Sequence, residues 1–105
     1  MTSESRYDGK PFVRLLDCYV LRAIGHLDEP QAAALKAMEP KLGAVYGSTG
    51  TWFEIVAQQM AFPPELDDQM RAIWATGCEK ARRMGFEPDP GEFTAQFVDT
   101  NFNPA

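Results

Sequence analysis

Three helix-start signals constrain the folding of this chain more tightly than any other feature of its sequence. Each is a side chain able to accept a hydrogen bond from a helix N-terminus, followed three residues later by Gln or Glu. The pairs are Asp28 with Gln31, Thr51 with Glu54, and Asp89 with Glu92. This spacing is typical of a capping box. Pro30 and Pro90 fall in the first turn after two of the caps, where a missing N–H is tolerated. The sequence therefore predicts that new helices begin directly after Asp28, Thr51 and Asp89.

Apolar residues recur every three or four positions through the segments between these signals, as they do on one face of a helix. The pattern predicts a first helix over about residues 11–27, a third over 52–61 and a fifth over 90–99. The second helix continues to a turn at 47–50. The fourth begins at residue 64 or 65, carries a stripe that includes Ile73, Gly77 and Met84, and ends at a cap on Gly85.

Pro40 interrupts the second predicted helix in the middle of its apolar stripe. A proline in a helix interior removes a hydrogen bond and costs about 3 kcal/mol unless the strain is relieved. The apolar stripe nevertheless stays in phase on both sides of Pro40. We therefore expect either one kinked helix or two abutting helices, not a wide loop.

The predicted elements imply an all-α fold, a compact bundle of about five short helices joined by short loops. The sequence has 105 residues, which suits one hydrophobic core. We predict a flexible N-terminal arm over residues 1–10, a single helical domain over 11–99, and a C-terminal tail over 100–105 that carries Phe102.

The formal net charge is −5, and such a surface repels nucleic-acid phosphates. Acidic residues concentrate at predicted helix starts, where they complement the helix dipole, and mimicry of nucleic acid is the open alternative. No apolar run is long enough to span a membrane, and the polar residues 1–10 lack the pattern of a signal peptide. We therefore expect a cytoplasmic protein with reduced cysteines and no membrane contact.

Few residues could carry catalysis or hold a metal ion. His26 is the only histidine, and it lies eight residues beyond Cys18, about 12 Å along a helix, which is too far for a hydrogen bond. The two cysteines lack metal-binding spacing, so no metal or cofactor is expected. The turn at 47–51 has two glycines before a helix start, which could bind an anion, although an ordinary capped turn is favoured. We expect no enzymatic activity.

The polar strip of the first helix contains small and apolar residues among its charges. Cys18, Leu21 and Gly25 lie in the same arc as Arg22. A glycine inside a helix costs about 1 kcal/mol relative to alanine, which suggests a close approach at Gly25. An intramolecular neighbour is the favoured explanation, and the surface of a partner is the alternative.

The sequence is rich in aromatic residues for a domain of this size, and Phe53, Phe62 and Phe102 fall at edges, turns or tail. We predict that they contact a partner, together with the polar strip of the first helix. The preferred function is a protein-interaction module, either a homodimer or an accessory, regulatory protein docking on a larger one. The alternative is a small-ligand binder or minor enzyme with a pocket between helices that uses Cys78, His26 or Tyr46.

Overall fold

The computed structural model describes residues 11–102, which form five α-helices and a final π-helical turn. The helices are α1 (Pro11–Ala23), α2 (Glu29–Tyr46), α3 (Trp52–Met60), α4 (Leu66–Arg83) and α5 (Pro90–Phe97), and the turn is Val98–Phe102. No strand occurs in this part of the chain. The all-α class and the number of helices are therefore confirmed. The predicted arm over residues 1–10 and the tail residues 103–105 lie outside the described residues.

All three predicted N-terminal caps are present. Asp28 accepts a hydrogen bond from the backbone N–H of Gln31 at 2.8 Å. Thr51 and Glu54 cap each other reciprocally, at 3.0 and 3.2 Å. The carboxylate of Asp89 accepts from the N–H groups of Gly91 and Glu92, at 3.0 and 3.1 Å. These bonds satisfy donors that an uncapped helix would leave without partners, so each helix starts where the sequence predicts.

Pro40 lies inside α2, which continues through it as a single helix of 18 residues. Of the two alternatives left by the sequence, the split into two helices is therefore wrong. Leu35 and Leu42, on either side of Pro40, are both buried. Packing of these two side chains on the same side of the helix offsets the hydrogen bond that proline removes.

The end of α1 differs from the prediction. The helix stops at Ala23 instead of Leu27, and Gly25 adopts a left-handed conformation with φ of 80°. The N–H of His26 bonds back to the carbonyl of Leu21 at 2.8 Å, which closes the helix as a glycine C-cap. Apart from its chain neighbours, no residue of the described range 11–102 has an atom within 4 Å of the position that a Cβ on Gly25 would occupy. The favoured explanation, an intramolecular neighbour close to Gly25, is therefore wrong, and glycine is needed there for its positive φ. A partner surface at Gly25 stays a prediction.

Contacts divide the chain into two compact units. In the described residues the first unit holds α1, α4 from Asp67 onward, α5 and the π-helical turn, and α1 packs against α5 and that turn. Leu16, Val20, Met70 and Val98 are fully buried in this unit. The second unit, Leu27–Leu66, is a hairpin of α2 and α3. Its core side chains are Leu35, Leu42, Trp52, Ile55 and Val56. The single helical domain expected over residues 11–99 stays a prediction.

The buried side of α4 only partly follows the predicted stripe. Leu66, Met70 and Cys78 are buried, whereas Ile73 is 49% exposed and Met84 is 62% exposed. Gly77 faces open space in the described part of the chain, because no atom beyond the local helix backbone lies within 4 Å of the position a Cβ would take. In the second half of α4, the side of the helix that faces the core is therefore the side that carries Cys78, not the predicted one. Gly77, which the predicted stripe places on the inward side, therefore marks no close helix crossing within residues 11–102.

Candidate interaction surface

Five rings follow one another along the first unit and form what we call the aromatic row. His26 meets Trp74 edge to face, with ring centroids 5.3 Å apart, and Trp74 lies 5.1 Å from Phe93. Phe93 stacks on Phe97 at 5.8 Å, and Phe97 meets Phe102 edge to face at 5.4 Å. All four distances lie in the range favoured by aromatic pairs. The row thus links the turn after α1 to α4, α5 and the π-helical turn.

The aromatic row lies at the edge of the first unit and not in its core. Phe93 and Phe97 are four residues apart and share one side of α5, next to the side on which Thr94 and Val98 are buried. None of the five rings is fully buried, and His26 is exposed. Part of each aromatic surface is therefore available to a partner.

Exposed acidic side chains lie on α5 and the π-helical turn, the two elements that also carry three of the five rings. Glu92 and Gln96 lie about 60 to 100° around α5 from Phe93, and both are exposed. Asp99 follows in the π-helical turn and is also exposed. We call Glu92 and Asp99 the acidic border. Aromatic faces beside carboxylates form a surface that attracts cations both through the ring quadrupoles and by direct charge.

A polar cluster joins the end of α1 to the start of α4. Arg22 donates from Nη2 to both carboxylate oxygens of Asp67, each at 2.9 Å, and its guanidinium lies 4.7 Å from the centre of the Tyr19 ring. Burial raises the pKa of Tyr19 above 10.0, and the carboxylate of Asp67 adds to the rise. Arg71 donates to the carbonyl of Ala23 at 3.4 Å. These bonds fix the chain just before His26, where the aromatic row begins.

This cluster changes the interpretation of the predicted contact strip on α1. Cys18 is buried, Leu21 is half-buried, and Arg22 is engaged with Asp67 and Tyr19 inside the first unit. Side chains in these positions present little surface to another protein. Their use as partner contacts stays a prediction and does not enter the proposal below.

The three phenylalanines that the sequence predicts to contact a partner lie in different units. Phe53 packs its ring edge on Trp52 at 5.5 Å, and Phe62 is half-buried after α3, both in the second unit. Phe102 alone belongs to the aromatic row, because the helical path continues past residue 99 as a π-helical turn. Sequence reasoning missed the row as a whole. The four-residue spacing of Phe93 and Phe97 was the signal that pointed to it.

The second unit carries an open groove of about 950 Å³ between α2 and the turn that precedes α3. Its lining includes Lys36, Glu39, Gly43, Ser48, Thr49 and Gln58. The side chain of Lys36 adds a positive charge to the groove, whereas the turn itself has no basic residue. The start of α3 is already occupied by carboxylates, because Glu39 accepts from the N–H of Trp52 at 3.0 Å and Glu54 is bonded to Thr51. These negative charges oppose the anion binding that the sequence left open.

The residues of the alternative ligand-binding hypothesis have different surroundings. Cys78 is buried in the first unit, His26 packs on Trp74, and Tyr46 is the last residue of α2 in the second unit. Within residues 11–102, no three His, Cys, Asp or Glu side chains form a group that could hold a metal ion. In the same range, no helix is both long and apolar enough to cross a membrane.

Comparison with known proteins adds no relative: the chain matches no protein-family model, no curated protein and no solved structure.

Proposed function

We propose that this chain is a non-enzymatic protein-interaction module that binds a basic segment of a partner protein on the aromatic row and its acidic border. The observation that carries the proposal is a row of five partly exposed rings in a unit whose α5 and π-helical turn also carry the exposed acids Glu92 and Asp99. An arginine side chain suits such a surface, since its guanidinium can stack on a ring while pairing with a carboxylate.

Overall charge supports the same kind of partner. A net charge of −5 steers positively charged surfaces of other proteins toward the chain. Rings that are already packed against one another lose little conformational freedom on binding, because each is held by its neighbours. The proposal thus combines a preorganised apolar contact with charge selection.

An accessory or regulatory role in the cytoplasm belongs to the same proposal. Docking without chemistry is the usual mode of action of such proteins, and the row requires no cofactor. Cys18 and Cys78 are both buried and form no disulfide with each other, an arrangement that suits a reducing compartment.

Titration of the full chain with labelled peptides tests the proposal. We expect a peptide of alternating Arg and Leu to bind, and a matched peptide of alternating Glu and Leu not to bind. The double variant Glu92→Gln/Asp99→Asn should weaken binding about tenfold, which corresponds to about 1.4 kcal/mol. Binding of the Arg peptide should also weaken as salt rises.

The matched control is Glu29→Gln/Glu65→Gln, which removes two exposed negative charges from the second unit. We expect this control to change the affinity less than twofold. Equal weakening by the two double variants would show that only net charge matters. That result, or the absence of binding by the Arg peptide, would overturn the proposed docking surface.

A further inference from the structure

The first unit itself displays a segment with the chemistry that the aromatic row is proposed to bind. Residues 80–86, which we call the basic segment, contain three cations and two large apolar side chains. These are Lys80, Arg82, Arg83, Met84 and Phe86. Arg83 forms a surface ion pair with Glu79 at 3.5 Å, and because both side chains are 73% exposed this weak pair can exchange for a carboxylate of another copy. Met84 and Phe86 are 62% and 63% exposed. Exposure of both apolar side chains means that the basic segment does not cover the aromatic row of its own chain.

The backbone holds the basic segment in a defined shape. Gly85 has a φ of 82°, and this left-handed conformation terminates the helical path of α4. The N–H of Phe86 bonds back to the carbonyl of Ala81 at 2.8 Å, and that of Met84 bonds to Lys80 at 3.1 Å. This glycine cap fixes the positions from which Met84 and Phe86 project. A fixed segment loses less conformational entropy on docking than a free loop would.

We infer that the basic segment of one copy docks on the aromatic row and acidic border of a second copy, an inference that rests on the proposed function. Charge complementarity supports this occupant: Lys80, Arg82 and Arg83 would meet Glu92 and Asp99. Met84 supplies a polarisable sulfur, which packs favourably against aromatic ring edges, and Phe86 extends the aromatic contact.

The two surfaces are different patches of the same unit, so the contact between copies is heterologous. A pair joined by one such contact still offers one unoccupied row, on the first copy, and one unoccupied basic segment, on the second. Such contacts add copies stepwise instead of stopping at a twofold dimer, unless a ring closes. The average mass should therefore rise continuously with protein concentration.

Light scattering of the full-length chain across a concentration series, with two variants, tests this contact. The segment variant is Arg82→Glu/Arg83→Glu, and the row variant is Glu92→Gln/Asp99→Asn. Each variant alone should remain monomeric at concentrations where the unchanged chain associates. Mixed in equal amounts, they should form a complex of two chains, because the mixture contains one intact segment and one intact row.

The control Lys36→Glu/Lys41→Glu changes the net charge by the same amount as the segment variant, at two exposed positions of α2. It should associate as the unchanged chain does. Circular dichroism of every variant establishes that it is folded. The inference is overturned if the unchanged chain stays monomeric at millimolar concentration, or if the mixed variants form no complex. If either of these results is found but the chain still binds the Arg and Leu peptide, the proposed function stands and only the contact between copies is rejected. If the peptide also fails to bind, both the proposed function and the contact between copies are rejected.

Discussion

Arg22 and Asp67 lie 45 positions apart in the sequence, and one guanidinium nitrogen bonds to both oxygens of the carboxylate at 2.9 Å. The two side chains are 22% and 30% exposed, so the pair is partly withdrawn from water. Asp67 lies in the first turn of α4, where the helix dipole favours a negative charge. The pair therefore ties the last turn of α1 to the first turn of α4.

Breaking this pair should destabilise the first unit. We expect Arg22→Gln or Asp67→Asn to lower the free energy of unfolding by about 1 to 2 kcal/mol, because each leaves a half-buried charge without its partner. Urea unfolding of the two single variants and the double variant measures the coupling between them. Purely additive losses would contradict a direct interaction.

The raised pKa of Tyr19 makes stability depend on pH in the alkaline range. Its pKa is raised in the folded chain, mainly because burial disfavours the charged phenolate and also because Asp67 is negative. The folded state therefore holds this proton more tightly than the unfolded state, and its contribution is complete below pH 10.0. Above that pH the free energy of unfolding should fall until Tyr19 ionises in the folded chain. We expect Tyr19→Phe to reduce this loss, as measured by urea unfolding across pH 8 to 11.

Two glycines of the α4 region should respond to alanine in opposite directions. Gly77 is exposed inside α4, and within residues 11–102 a new Cβ would meet no atom other than the local helix backbone, so Gly77→Ala should stabilise by up to about 1 kcal/mol through helix propensity. Gly85 has equally open surroundings but a φ of 82°, so Gly85→Ala should destabilise by about 1 kcal/mol. Thermal unfolding distinguishes the two. A loss of stability in Gly77→Ala would show that a neighbour covers this position.

Thr94 carries a hydroxyl that the fold of residues 11–102 leaves without a hydrogen-bond partner. The residue is 2% exposed, and its Oγ1 has no donor or acceptor within reach. Valine has nearly the same shape and lacks the desolvated hydroxyl, so Thr94→Val should raise the free energy of unfolding by about 1 kcal/mol. Thr94→Ser is the control, since it keeps the hydroxyl and removes a methyl group. It should destabilise, and a destabilised valine variant would contradict the assignment.

Most of the local structure could be predicted from the sequence. The caps at Asp28, Thr51 and Asp89 involve atoms only two or three residues apart, so the chain specifies them without tertiary contacts. The stop at Gly85 is of the same kind, because only glycine adopts a positive φ there without strain. These signals determine where helices start and stop in any all-α arrangement.

Long-range packing could not be predicted in the same way. Asp17 is buried on α1 although its charge suggests solvent, and Ile73 is exposed although its spacing suggests the core. Which side of a helix faces inward depends on the elements that pack against it, and periodicity leaves an uncertainty of tens of degrees. The sequence indicates only one part of the aromatic row, the pair Phe93 and Phe97, and the rest could not be predicted for this reason. It joins His26, Trp74 and Phe102, which no local rule brings together.

The hydrogen bond from Trp52 to Glu39 has a consequence for how the second unit opens. Glu39 directly precedes Pro40, where α2 lacks one backbone donor and its ladder is weakest. A transient break of α2 at this point would withdraw the Glu39 carboxylate from the first N–H of α3. Amide protons near residue 40 and at the start of α3 should therefore exchange with deuterium at the same rate. The middle of α2 and the start of α3 then open together in one local unfolding event, not in two separate ones.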